Sequence, residues 1–204
     1  MCIILPLGPT VQMYLRRYGA TGPDLPVCCP DCGKRMQRHG RYWRWVFNSR
    51  QKGRIPIYRW RCRKCRITRS VLPDFLRPYA RFVTWVREMV VRGRLRRNLP
   101  WAELVRLASS EEVSWLSEKT LRRWLKQVRD LSGEWGQFLA RWILEFWPSV
   151  DVYSIARRRE GLDASLHFLL DVGGWYLCRV ERQLHDHPGL FAVLNRLGEG
   201  PSSL

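Results

Sequence analysis

Apolar positions recur along this chain with two different periods, and the change falls near residue 68. Arg41-Tyr42-Trp43-Arg44-Trp45-Val46-Phe47 is aromatic and β-branched, which favours a strand. The polar run 48–53 ends in glycine, as a hairpin loop does, and 54–62 reads as the return strand. Alternation puts Pro56, Tyr58, Trp60 and Cys62 on one face and Ile55, Ile57, Arg59 and Arg61 on the other. Pro56 argues for an edge strand.

From Thr68 onward the pattern is helical. Phe82, Val86, Met89 and Val90 form a stripe that ends at Gly93, with Arg77, Arg81, Arg87 and Arg92 outside it. Trp101, Leu104, Val105 and Ala108 form a second, with Pro100 at the first helical position. After a connection of eight residues, Ser117 caps a third helix, whose Leu121, Trp124, Leu125 and Val128 point inward at i, i+3, i+4 and i+7. A strongly apolar helix carrying Trp135, Phe138, Leu139, Trp142, Ile143 and Phe146 stops at Pro148. Two further helices, 162–172 and 188–197, are separated by breaks at Gly173-Gly174 and at His185 to Pro188. The leader, with Pro6, Pro9, Pro23 and Pro26, reads as irregular apart from a helical turn over 11–18. Cys178, in the apolar run 175–180, is expected to be a small buried hydrophobe.

These segments give an irregular leader (1–25), a strand unit (26–70), a helical region (71–130) and a C-terminal helical region (131–204). The fold class is mainly α with a small β element at the N-terminal end. At 204 residues the chain can bury a real core. No apolar run approaches a membrane span, and the short apolar start lacks the features of a signal peptide.

Charge sharpens this picture. Lys plus Arg total 36 against 18 acids, a formal net charge of +18, which calls for a polyanionic partner. Residues 34–69 hold 14 basic side chains and no acid, and residues 70–130 hold 13 against seven acids. Residues 151–204 are close to neutral, so the C-terminal end is the candidate for core support, self-association or a protein partner. On the hairpin, Arg38, Arg41, Arg44, Arg59, Arg61, Arg63 and Lys64 are the candidate phosphate contacts. The outer face of the third helix offers Lys119, Thr120, Arg122, Arg123, Lys126 and Arg129. A short helix, a connection and a second helix with a basic outer face is the pattern of a helix-turn-helix, whose second helix enters the major groove. Arg122 and Arg123 are the best candidates for bidentate contacts to guanine.

The seven cysteines are odd in number, and four fall into two C-x-x-C pairs, Cys29/Cys32 and Cys62/Cys65. That spacing suits a closed tetrahedral site for one structural zinc ion and a reducing, cytoplasmic compartment. Pro30 and Gly33 suit the turn of the first pair. Cys28 could replace Cys29, although the x-x spacing and the following proline favour Cys29. The full expectation is an N-terminal zinc ribbon followed by a helical helix-turn-helix bundle.

No catalytic chemistry is expected. Asp151, Asp171 and Glu181 could be nominated as a metal-binding carboxylate set, but nothing around them reads as the required strands. His185 and His187 read as a loop pair, and a metal closed by four thiolates has no open position for water.

The string Cys29-Pro30-Asp31-Cys32-Gly33, followed by Arg38-His39-Gly40-x-Tyr42-x-Arg44 and Ile55-x-Ile57-x-Arg59-x-x-Cys62-x-x-Cys65-x-x-Thr68-x-x-x-Leu72-Pro73, resembles the amino-terminal zinc ribbon of insertion-sequence transposases. It is also similar to small bacterial proteins that join this ribbon to a helix-turn-helix. The resemblance covers roughly residues 26–130 and implies DNA binding connected with mobile elements, as a regulator or accessory factor. It carries over no catalytic residue. An RNA-binding module, and an adaptor that recruits a larger transposase or nuclease through the C-terminal helices, are the alternatives.

Overall fold

Strand β1 (Cys2–Leu5) opens the chain, and helix α1 (Val11–Tyr18) follows it. Thr10 caps α1 by accepting from the Met13 amide at 3.2 Å. Strands β2 (Gln37–Phe47), β3 (Lys52–Arg61) and β4 (Thr68–Pro73) complete one sheet, in the order β1-β4-β3-β2. The computed structural model of the chain describes residues 2–49, 52–113, 116–156, 160–179 and 189–197.

The leader is therefore not irregular. Its first residues pair in parallel with β4, Cys2 opposite Ser70 and Leu5 opposite Pro73. Thr68 does not begin the helices either, because 68–73 is the strand that joins β1 to β3. Nor is β3 an edge strand, since it lies between β2 and β4. Its ladder with β4 ends at Tyr58–Val71, so Pro56 sits just beyond it, where a missing N–H is tolerated. The Pro56 carbonyl accepts a 2.6 Å hydrogen bond from Tyr14 Oη, and burial keeps that phenol protonated by raising its pKa. Ile55 to Tyr58 are all buried, so alternation fails where both faces are covered.

Helices α2 (Thr84–Arg96), α3 (Trp101–Ala108) and α4 (Glu118–Phe146) pack on one another, with a 3-10 turn (Glu111–Val113) between α3 and α4. The apolar stripe of Leu121, Trp124, Leu125 and Val128 is buried as its spacing predicts. Pro100 precedes α3 rather than opening it. A boundary at 130/131 does not exist in the backbone, because α4 runs unbroken for 29 residues. Short α5 (Val152–Ile155) leads to α6 (Ala164–Arg179) and α7 (Leu190–Leu197). Helix α6 continues through Gly173-Gly174 instead of breaking there. A Cβ on Gly173 would collide with Leu190, so the glycine admits α7. Cys178 is exposed rather than buried.

Two apolar clusters meet along α4. Leu121 and Trp124 belong to the one around the sheet, α1, α2 and α3. Leu125, Val128, Leu139 and Ile143 belong to the one shared with α5, α6 and α7. Helix α7 also reaches back to the sheet side. Asn195 Nδ2 donates to the Asp74 and Leu76 carbonyls at 2.8 and 3.0 Å, and the Phe191 amide donates to Glu88 Oε2 at 3.0 Å. Among the described residues no helix is long and apolar enough to cross a membrane.

Candidate metal centre and basic face

Two knuckles built alike bring the four cysteines together. In the first, the Cys29 amide donates to the Lys34 carbonyl at 2.9 Å and the Gly33 amide to the Cys29 carbonyl at 2.8 Å. In the second, the Cys62 amide donates to the Ile67 carbonyl at 2.9 Å. The hairpin carries the second knuckle on the end of β3 and sets it against the first, with Cys32 Sγ 3.6 Å from Cys62 Sγ. The sulfur atoms of Cys29, Cys32, Cys62 and Cys65 all lie within 4.8 Å of one another. Cys28 is exposed, outside this group.

Four thiols this close cannot all ionise unaided. The Cys65 amide, 3.4 Å from Cys62 Sγ, is the main cause that lowers the Cys62 pKa to about 7. The neighbouring Cys32 thiol and burial push Cys65 up to about 12, and burial raises Cys29. A bound cation reverses this order, because it makes every added thiolate favourable. The cluster thus suits one metal ion with four sulfur ligands.

Around this centre the positive charge lies largely unopposed. Arg69 pairs with Asp31 at 3.4 Å. Arg38, Arg59, Arg61, Arg63, Lys64 and Arg66 have no carboxylate partner among the described residues. Arg38 stacks on the Tyr58 ring, 4.6 Å from its centroid, and with Arg61 and Arg63 it lines one cleft. Arg41 donates to the Ala20 carbonyl at 3.2 Å and lies 5.6 Å from the Trp43 ring.

That contact belongs to a ladder of alternating cations and indoles. Arg54 lies 5.9 Å from the Trp43 ring and 5.4 Å from Trp45, and Lys52 lies 5.6 Å from Trp45. Trp43 and Trp45 are nearly half exposed, at 47% and 46%. Trp43, Trp45, Lys52 and Arg54 were not singled out as contacts from the sequence. Their signal is the i, i+2 spacing of the two tryptophans on the outer strand of the sheet, with Arg54 directly opposite Trp45.

Arg44 leaves the contact set. Its guanidinium is half-buried and donates to the carbonyls of Arg77, at 2.9 Å, and Ala80. Burial draws its pKa below the usual value. Arg44 therefore fastens the hairpin to the connector between β4 and α2, beside the 2.8 Å bond from the Phe47 amide to the Arg81 carbonyl. Arg87, expected outside the α2 stripe, instead covers the Trp124 ring at 5.1 Å.

On α4 the basic residues divide in two. Arg122 is bound by Glu118 at 2.6 Å and lies 4.7 Å from the Trp101 ring of α3, Lys126 pairs with Asp130 at 2.7 Å, and Arg129 pairs with Asp163 at 2.6 Å. Lys119 and Arg123 are exposed and have no carboxylate partner among the described residues. Thr120 faces Ser117, hydroxyl to hydroxyl at 3.2 Å, so Ser117 occupies the cap position without capping a backbone amide.

Asp151 caps α5 and Asp171 pairs with Arg96, and among the described residues neither belongs to a group of side chains placed to hold a metal ion. Glu181, His185 and His187 lie outside the described residues.

Residues 29–124 match the family model described as "Domain of unknown function (DUF6431)". No curated protein and no solved structure matches the chain. The matched span starts at the first cysteine of the cluster and ends in the first turns of α4, so it holds the four clustered cysteines, α3 and the start of α4.

Proposed function

We propose that this chain binds nucleic acid, specifically duplex DNA, through a zinc-pinned hairpin and the exposed face of the first turns of α4. In this reading residues 26–70 are a zinc ribbon and α3 with α4 is a helix-turn-helix. Four clustered thiolate donors favour zinc, a soft-ligand tetrahedral ion whose sulfurs sit about 3.8 Å apart for Zn–S bonds of about 2.3 Å. With all four positions taken by protein, the ion is structural. It fixes the two knuckles and with them the arginines of the hairpin.

One observation carries the proposal: apart from Arg69, paired with Asp31, the cations around the knuckles have no carboxylate partner among the described residues, while Arg92, Arg96, Arg122, Lys126 and Arg129 of the helices are matched to acids. A surface that is merely solvated mixes both signs. One that meets phosphates keeps its donors available and places them rigidly, as the stacking of Arg38, Arg41 and Arg54 on aromatic rings does. The resemblance to insertion-sequence transposases supports a role as regulator or accessory factor of a mobile element.

A second reading, an RNA-binding module, has the exposed Trp43 and Trp45 in its favour, since indoles stack on unpaired bases. Competition separates the two. With a labelled duplex bound to the zinc-loaded protein, unlabelled duplex DNA should displace it at lower concentration than single-stranded DNA or structured RNA. Displacement by RNA at the lowest concentration would establish the second reading instead.

A further inference from the structure

We propose that the cleft between the β2 bulge and the second cysteine knuckle is a dedicated phosphate site in which Arg66 is a binding residue. The proposal rests on the nucleic-acid reading and deepens it.

The two knuckles share one backbone design. In each, the amide of the first cysteine donates to the carbonyl five residues on, Lys34 or Ile67, at 2.9 Å. The residue just before that carbonyl must turn left-handed. In the first knuckle it is Gly33, at φ 69°; in the second it is Arg66, at φ 59°. Glycine adopts this conformation freely, whereas a side chain meets steric resistance there. The second knuckle thus carries a strained arginine where the first shows that glycine serves the turn. Tyr79 and Asn98 also turn left-handed, so the strain alone assigns nothing, and the case for Arg66 rests on what surrounds it.

The surroundings of Arg66 supply the reason. It lines a cleft of about 320 Å³ together with Gln37, Arg38, His39, Arg61 and Arg63. No carboxylate lines this cleft, and none of its four arginines has an ion-pair partner among the described residues. The register shift of β2 between Arg38 and Arg41, with Gly40 at φ 93°, bends the outer strand at its rim. Arg38 is held against the Tyr58 ring and beneath Gly22, a position where a Cβ would collide with its guanidinium. Guanidiniums that line one cleft repel one another unless an anion sits among them, and their planar forks match phosphate oxygens. The cleft is at the small end of ligand sites, suited to a phosphate group rather than to the body of a helix. The group is either an internal phosphodiester or the phosphomonoester at a strand terminus.

The test compares full-length, zinc-loaded wild type with Arg66→Gly, and with Arg61→Ala as an exposed control in the same cleft. Melting temperature, displacement of bound duplex by inorganic phosphate, and affinity for duplexes with and without a 5′-phosphate are measured. Arg66→Gly should melt at the wild-type temperature or roughly 1–3 °C higher, because the strain is relieved. It should bind duplex about tenfold more weakly, and Arg61→Ala should follow it in affinity. A loss confined to the 5′-phosphorylated duplex assigns the site to a strand terminus; an equal loss on both assigns it to an internal phosphate. Wild-type affinity in Arg66→Gly, or a lowered melting temperature, overturns the proposal and leaves nucleic-acid binding standing. If wild type binds no duplex while inorganic phosphate still raises its melting temperature, and not that of Arg66→Gly, the cleft stands and the nucleic-acid reading falls.

Discussion

Arg122 and Arg123 are neighbours in sequence with different surroundings. Glu118 and the Trp101 ring engage Arg122, while Arg123 projects from α4 with no carboxylate partner among the described residues. Arg123→Ala should therefore weaken binding to a selected duplex by about 1–3 kcal/mol if the side chain reads a base. Arg122→Ala should cost less, because its charge is already opposed. Filter binding or anisotropy decides the order, and a larger loss for Arg122→Ala contradicts the assignment. Both arginines lie on the outer face by period, and Glu118, four residues before Arg122, is the partner that neutralises one of them, whereas for Arg44 the sequence conceals burial altogether. An arginine in an alternating strand reads as solvated until the 77–80 connector is seen to lie against it. The cysteines are the opposite case, since spacing alone picked the four that converge. Cys62→Ser removes the thiol whose pKa the Cys65 amide draws down to about 7, and it should abolish metal retention in a metal analysis of the purified protein. Structural zinc contributes on the order of 10 kcal/mol to the folding of small modules, so the hairpin should unfold while much of the helical signal survives. Full metal retention in the variant would contradict the site.

At the scale of elements, the stripes of α2, α3 and α4 and the hairpin followed from period alone, whereas their limits did not. β1 is four residues long and pairs in parallel with a strand nearly seventy residues away. A short apolar run carries no local mark of such a partner. The composition shift after Leu131 suggests a boundary there, yet α4 runs through it and through Gly133 and Gly136, residues that weaken an isolated helix. Gly136 is tolerated because α6 packs close, a Cβ there lying 3.0 Å from Phe168. Gly173 has the same role toward α7. Gly173→Ala would drive a methyl into the fully buried Leu190 and should destabilise the protein by about 1–3 kcal/mol, measured by denaturant unfolding. An unchanged midpoint would mean that α7 does not seat on α6 as described.

For the molecule as a whole, the charge is polarised but the fold is not divided. A fragment of residues 26–130 keeps the four clustered cysteines and most of the basic residues, yet it strips β4 of β1 and cuts α4 within its length. It also loses the Asn195 bonds to the Asp74 and Leu76 carbonyls. Such a fragment should melt without a cooperative transition by circular dichroism, and a sharp transition near that of the full chain would show two independent units. Binding is therefore best measured on the intact protein. Neutralised phosphates release counterions, so log K should fall linearly with log salt at about −0.9 per phosphate contacted. With roughly 6–10 contacts, a range that accompanies strong salt dependence in DNA-binding proteins, the slope for duplex DNA lies between about −5 and −9. A titration of affinity against salt concentration with the full-length, zinc-loaded protein reads this slope directly. A value in that range is what an unopposed basic face predicts; an affinity that does not change with salt would mean that this face does not meet nucleic acid.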